Sequence, residues 1–197
     1  MTLIIGLSGP AGSGKSTVAA AIEKAHPGIA RHHIKAPLAA MLEGYYRTLG
    51  LSDPEIERRI NGDLKRAPDP LLGGQTPTYA QQTLGTDWGR CLMHPDFWVA
   101  PWVREAVRRR GLGLGTMNEG VRYQNEVEAI RKLGGIVVEL VGRRDDRVDF
   151  THSSEAGVNA DYQVSNAPGH KPEDVAARVI QLAMARIDVK AKAAPAA

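Results

Sequence analysis

A glycine-rich octapeptide near the amino terminus constrains the fold more than any other feature of this chain. Its sequence is Gly9-Pro10-Ala11-Gly12-Ser13-Gly14-Lys15-Ser16, and it lies between an apolar run at residues 3–7 and a helix-forming run at residues 17–22. The spacing G-x-x-x-x-G-K-S lets successive backbone N–H groups point at phosphates, and the N-terminus of the helix that follows adds its partial positive charge. The octapeptide therefore predicts a loop that binds a nucleoside triphosphate. A glycine-rich turn without a ligand is the alternative.

Two side chains of this loop have expected chemical roles. The ammonium of Lys15 would reach the β- and γ-phosphates, and the hydroxyl of Ser16 would hold Mg²⁺. Both roles require the loop to lie between a buried strand and a helix, which is the order that the flanking residues predict.

The composition indicates one hydrophobic core and no obvious macromolecular partner. The 197 residues are 43% hydrophobic, which suffices for one core. The 25 basic and 22 acidic residues give a formal net charge of +3, too even a balance to predict a stable nucleic-acid partner. The single cysteine, Cys91, excludes an intramolecular disulfide and a cysteine-built zinc site, so a cytoplasmic location is expected. No apolar run reaches the length of a membrane span, and residues 189–197 are expected to form a disordered tail.

Strand and helix patterns alternate along the chain. Strands are predicted at residues 3–7, 113–117, 136–141 and 162–164, and helices at 16–25, 38–49, 53–61, 96–110, 125–133 and from Pro172 onward. Residues 61–77 are rich in glycine and proline and predict a long loop. This alternation predicts an α/β fold with a mostly parallel sheet, helices on both faces, and the ligand at the carboxyl ends of the strands.

Charged residues follow two of the predicted strands, where a kinase would need them. Glu119 lies just after the strand at 113–117 and could orient a water bound to Mg²⁺, with Arg122 three residues later. Arg143, Arg144 and Arg147 follow the buried strand at 136–141 and are predicted to be catalytic cations of a lid, with a solvated charge run as the alternative. No nucleophile and base pair stands out. A phosphate acceptor fits this set of residues, because a phosphate monoester is largely dianionic at pH 7 and needs no general base.

Three segments of the chain carry a resemblance to a known family. Residues 74–90 read GQTPTYAQQTLGTDWGR and residues 94–99 read HPDFWV; residues 119–126 read EGVRYQNE, and residues 152–155 read HSSE. In this order they are similar to the segments G-x-T-P-R, L-Q-x-L-G-T-E-W-G-R and P-D-x-W, then D-D-V-R-F-P-N-E, then H-x-S-E, of the deoxynucleoside monophosphate kinases of tailed bacteriophages. That family is related to the adenylate kinase-like P-loop kinases. The resemblance extends from Leu3 to about Met184.

The resemblance implies a fold, cofactors and site residues. It implies a P-loop nucleoside monophosphate kinase-like fold of three layers in one domain over residues 1–188, with an acceptor-binding region at about 35–98 and an inserted lid at about 143–157. It implies that ATP, with Mg²⁺, contacts Gly9, Ala11, Gly12, Ser13, Gly14, Lys15, Ser16 and Thr17. It assigns Lys35, Trp88, Arg90, Glu119, Arg122 and Glu155 to a deoxynucleoside monophosphate acceptor. Thr78 and Gly120 stand where the family commonly has arginine and aspartate, so a shifted substrate preference is expected.

Two other functions stay open at this point. The first is a P-loop kinase that acts on a hydroxyl, such as a dephospho-coenzyme A kinase, for which Asp87 is the carboxylate that could serve as the base. The second is a P-loop protein that grips nucleic acid through Arg108-Arg109-Arg110, for which a solvated helix end is the simpler explanation. The sequence does not decide whether the protein is a homodimer.

Overall fold

A computed structural model describes residues 2–143 and 157–193 of the chain. These residues divide into two compact units, one formed by residues 1–33 with 101–197 and the other by residues 34–100. The second unit has nearly the bounds of the predicted acceptor-binding region. None of the helices in the described ranges combines the length and the apolar character that a membrane span needs.

The first unit is built on a parallel sheet of five strands. The strands are β1 (Ile4–Ser8), β2 (Ile29–Arg31), β3 (Gly115–Asn118), β4 (Ile136–Val141) and β5 (Tyr162–Ser165), and their order in the sheet is β2-β3-β1-β4-β5. The helices of this unit are α1 (Lys15–Ala25), most of α5 (Val99–Gly111), α6 (Gln124–Lys132) and α7 (Pro172–Ala193). Helices α2 to α4 belong to the second unit.

Helices cover both faces of this sheet because its central strands are apolar on both sides. Ile5 and Leu7 of β1 belong to one core cluster with α1 and α7 residues such as Val18 and Val179. On the opposite face, Gly6 of β1 lets the Ile130 side chain of α6 approach the strand closely. Successive strand residues point to opposite faces of the sheet, and helices cover both faces here, so β1 is buried along its whole length. The predicted α/β class, with a mostly parallel sheet and helices on both faces, is thereby confirmed.

The second unit is helical. It contains α2 (Ala36–Thr48), α3 (Asp53–Ile60), α4 (Pro77–Thr83), a π-helix over Leu84–Met93 and the short segment that leads into α5. Its core is small: Leu42, Tyr46, Ile56 and Ile60 are buried together. A capping box starts α3, in which Glu55 accepts hydrogen bonds from both the backbone N–H and the hydroxyl of Ser52.

Several predicted elements differ from the structure. The sequence patterns missed β2, whose three residues are too few to show a period and which is defined by its pairing with β3. The long loop at 61–77 contains two 3₁₀ turns, Asp63–Arg66 and Pro70–Leu72. The tail assigned as disordered from residue 189 instead continues α7 to Ala193, since its alanines and lysines are good helix formers. Residues 194–197 lie outside the described part of the chain.

Candidate active site

The glycine-rich loop lies between β1 and α1, as its sequence predicts. Gly9, Gly12 and Gly14 have φ angles of 126°, 78° and 85°, a region that side chains disfavour. At Gly9 a Cβ atom would lie 2.6 Å from the carbonyl oxygen of Leu140 on β4. The loop closes on itself through a hydrogen bond of 3.1 Å from the Ser13 N–H to the Pro10 carbonyl. Glycine is therefore required here both for conformation and for close packing.

Lys15 is held within this loop by its ammonium group. It donates hydrogen bonds of 2.8 Å to the carbonyls of Gly9 and Pro10, and one of 3.3 Å to the Ser13 hydroxyl. The pKa of Lys15 is lowered to about 8, first by burial and then by the charge of Arg122, against the opposing effect of the Glu119 charge. Lys15, Arg122 and Glu119, which the sequence analysis assigned separately, therefore act on one another electrostatically.

The segment that carries Glu119 and Arg122 is fastened to β1. The Val121 N–H donates to the Leu7 carbonyl at 3.0 Å, and the Arg122 N–H donates to the buried carboxylate of Glu126 at 2.8 Å. Burial lowers the pKa of Arg122, against the opposing effect of the Glu126 charge. The structure thus places a second, partly buried cation near Lys15, which an anionic ligand would stabilise.

Two oxygen donors at this edge of the sheet fit Mg²⁺. Ser16 lies exposed in the first turn of α1, and Glu119 Oε2 is buried, accepts no hydrogen bond and lies 3.6 Å from Arg31 Nη1. Hydroxyl and carboxylate oxygens are the hard ligands that Mg²⁺ takes, usually together with phosphate oxygens and waters. Among the described residues, no group of three or more His, Cys, Asp or Glu side chains could hold a metal by itself. A Mg²⁺ ion here would therefore depend on a bound phosphate.

Asn166 supports the loop and was missed by the sequence analysis. It follows β5 and is 3% exposed, and its side-chain amide donates to the Ser13 carbonyl at 2.7 Å. The backbone N–H of Asn166 donates to the Val141 carbonyl at 2.7 Å, which fixes the residue at the end of β4. The available signal was weak: a polar residue directly after a short strand, at the edge where the ligand was expected.

Arg143 is bonded to the residue that follows Asn166. Its Nη2 donates to the carbonyl of Ala167 at 3.3 Å, and its buried Nε has no hydrogen-bond partner. The other predicted lid residues, Arg144 and Arg147, and the acceptor residue Glu155 lie outside the described residues. Of the predicted lid, the structure therefore describes only its two ends.

The other predicted acceptor residues belong to the second unit. Lys35 precedes α2, and its carbonyl accepts a hydrogen bond from the Ala39 N–H. Trp88 and Arg90 lie on the π-helix; the indole of Trp88 is half-buried, and Arg90 Nη1 donates to the Pro95 carbonyl at 3.1 Å. Asp87, the base considered for a hydroxyl acceptor, is exposed on the same helix.

The basic run at the end of α5 has structural partners. Arg108 forms an ion pair of 2.7 Å with Glu105, Arg109 Nε donates to the Gly115 carbonyl at 3.0 Å, and Arg110 Nη1 donates to the Leu133 carbonyl at 3.4 Å. Arg109 and Arg110 thus bond the end of α5 to the segments that contain Gly115 and Leu133. This use of the charges agrees with the simpler explanation of the run.

Comparisons with known proteins give a distant likeness among solved structures. No protein-family model matches the chain, and no curated protein matches it. Among solved structures, the chain is similar to a crystal structure of shikimate kinase from Aquifex aeolicus, with 17% sequence identity and a TM-score of 0.36. The match covers 93% of this chain and 96% of that chain. At this identity and TM-score, the likeness carries no substrate or activity over to the present protein.

Proposed function

We propose that the protein is an ATP-dependent kinase that phosphorylates deoxynucleoside 5′-monophosphates to diphosphates. The observation that carries the proposal is the glycine-rich loop between β1 and α1, with Lys15 inside it and Arg122 near enough to lower the pKa of Lys15. Two partly buried positive charges that act on each other in this way favour an anionic ligand at the loop. A donor triphosphate would account for Lys15, and an acceptor phosphate would account for Arg122.

The carboxylates around this site favour a phosphate acceptor over a hydroxyl acceptor. Glu119 lies in the field of Arg31, and Glu126 accepts the backbone N–H of Arg122. Asp87, the candidate base, is exposed. A hydroxyl acceptor needs a base to remove its proton, whereas transfer between two phosphates depends on positioning and neutralised charge.

ATP and Mg²⁺ are the cofactors of the proposed reaction. Bound Mg²⁺ would neutralise charge on the β- and γ-phosphates, with Ser16 and Glu119 as the residues to hold it or its waters. The loop N–H groups would orient the triphosphate, and Lys15 would stabilise the charge that develops on the transferred group. Arg143, Arg144 and Arg147 are proposed to add positive charge around the phosphates.

The acceptor residues follow from the family resemblance and from their chemistry. Arg90 and Lys35 supply cations for a phosphate, and Trp88 supplies an aromatic surface for a base. Glu155 is proposed to contact the same substrate. The nucleic-acid alternative is less well supported, because Arg108, Arg109 and Arg110 already have partners within the protein.

A coupled assay of ADP release tests the proposal. It would compare the common deoxyribonucleoside and ribonucleoside monophosphates as acceptors, and phosphorus NMR would identify the new bond as a pyrophosphate or a monoester. Lys15→Ala is expected to lower kcat by roughly a hundredfold or more, since it removes a charge that acts in the transition state. Lys24→Ala, an exposed lysine of the same helix, is the control and should keep normal turnover.

Three results would contradict the proposal. The first is that no monophosphate stimulates ADP release. The second is that the product carries a new monoester and no new pyrophosphate, and the third is that Lys15→Ala turns over at the normal rate. Binding to DNA that falls steeply with salt, without monophosphate-dependent turnover, would favour the nucleic-acid alternative instead.

A further inference from the structure

The π-helix of the second unit is an unusual element in a sequence that gives no sign of it. It covers ten residues, Leu84–Met93, and continues directly from α4. A π-helix is rare, generally spans one turn, and occurs frequently at functional sites. Such a segment persists only where the surrounding structure holds it. The residue that holds it is therefore of interest.

Trp98 contacts this helix at two glycines. Its indole N–H donates to the Gly85 carbonyl at 2.8 Å, and its ring fills the space beside Gly89 so closely that a Cβ atom there would overlap it. Trp98 is 3% exposed, so the hydrogen bond and the ring contact are both shielded from water. Gly89 thus provides the surface against which the indole packs, and the Gly85 carbonyl accepts its N–H.

Trp98 also contacts the aromatic side chain that this helix presents. The rings of Trp88 and Trp98 have centroids 6.1 Å apart, and Phe97 packs edge-on against both, at 5.2 Å from Trp88 and 4.8 Å from Trp98. Trp88 remains half-exposed while Trp98 is buried. The buried indole therefore fixes the orientation of an accessible one.

We propose that Trp98 is a positioning residue that holds the Trp88 indole for stacking on the base of the acceptor nucleotide. This inference rests on the proposed function. An aromatic ring stacks on any nucleobase, and a ring fixed in advance binds more tightly because it loses less freedom on binding. Trp98 itself touches no substrate in this role. Its effect should therefore appear in the KM for the monophosphate and leave the KM for ATP alone.

The test compares two tryptophans with the same kind of hydrogen bond. Trp98→Phe keeps an aromatic ring and removes the N–H donor to Gly85. Trp102→Phe is the matched control, because Trp102 is 4% exposed and its indole N–H donates to the His32 carbonyl, also at 2.8 Å. Initial rates are measured with varied monophosphate and with varied ATP, and thermal unfolding is measured for both variants.

Trp98→Phe is expected to raise the KM for the monophosphate by about tenfold, with kcat and the KM for ATP changed less than about twofold. Trp102→Phe should lose comparable stability without this change in KM. Gly89→Ala places a methyl group where the Trp98 ring lies, so it should displace the ring and raise the KM for the monophosphate in the same way. This variant replaces Trp98→Phe in the test if Trp98→Phe does not fold.

The outcomes separate the inference from the proposed function. If the wild-type protein turns over a monophosphate but Trp98→Phe and Gly89→Ala keep a normal KM for it, the positioning role is wrong and the kinase proposal stands. The positioning role is equally wrong if Trp102→Phe raises that KM as much as Trp98→Phe does. If the wild-type protein turns over no monophosphate, both are overturned.

Discussion

The side-chain amide of Asn166 offers a direct test of how the phosphate loop keeps its shape. It is the contact, from a residue 153 positions away, that holds the Ser13 carbonyl. Asn166→Ala removes this donor. Because Ser13 is fully buried, its carbonyl is left without that partner in a place that water reaches poorly. The loss therefore destabilises the loop conformation in which the N–H groups point toward a phosphate.

The size of the effect follows from the burial of both partners. Leaving a buried acceptor unsatisfied costs roughly 1–3 kcal/mol. If that cost falls on the binding-competent conformation of the loop, the population of that conformation falls and the apparent Kd for the nucleotide rises in proportion. We therefore expect ATP affinity to fall by between about fivefold and about 150-fold.

Asp161 provides the matched control, because it stands at the opposite end of the same strand. Its carboxylate accepts the Val137 N–H at 2.8 Å and pairs with Arg131 at 3.0 Å. Asp161→Ala should therefore lower the free energy of unfolding without changing ATP affinity. Calorimetric titration with ATP and urea unfolding measure the two quantities. If Asn166→Ala loses stability but binds ATP as the wild type does, the residue only supports the fold, and the reasoning on the loop is refuted.

Three further predictions address single residues. The pKa of Lys15 is lowered to about 8, so ATP affinity should fall by up to about tenfold per pH unit above that value. Between this pKa and the ordinary value of 10.5 the unfolded chain binds more protons than the folded one, so the free energy of unfolding without ligand should rise with pH. Calorimetric titration and urea unfolding across pH 7–10 check the two slopes. Asp69→Ala should destabilise the second unit by roughly 3–5 kcal/mol in urea unfolding, since Asp69 is buried and accepts the Tyr46 hydroxyl at 2.8 Å within an ion pair. Gly120→Asp installs the aspartate that the resembled segment D-D-V-R-F-P-N-E has at this position, and it should lower the melting temperature because the His33 ring occupies the space of the new Cβ atom. His33→Ala should relieve much of that loss, and equal losses in the single and double variants would contradict this.

The residues of the phosphate loop could be predicted because their chemistry is local. Gly9 through Ser16 are consecutive, and each glycine is required by a conformation or a close approach within a few residues. The strand and helix on either side carry their own apolar patterns. For the same reason β4 was predicted with its observed bounds, since it is a short apolar run rich in β-branched residues.

The rest of the site depends on contacts that no local pattern shows. Asn166 meets Ser13 only because β5 ends at the same edge of the sheet as β1. The strand β2 was missed because its pairing with β3 defines it. The π-helix was missed because its residues have no distinctive propensity, and the hydrogen bond from Trp98 to Gly85 is one that only the structure reveals.

This division between local and distant contacts has a consequence for mutations. The loop residues that act on phosphates lie in one short segment, whereas two of the groups that fix the loop are distant in sequence. The Leu140 carbonyl of β4 packs against Gly9, and Asn166, which follows β5, donates to the Ser13 carbonyl. Changes within the segment should act on the chemical step as well as on affinity, because Lys15 meets both the bound triphosphate and the transferred charge. Changes in the distant contacts should act on affinity, because they alter how often the loop is correctly shaped. The chemical groups of such a site therefore lie in a short stretch of sequence, whereas the fold around that stretch holds them in the geometry that binds phosphate.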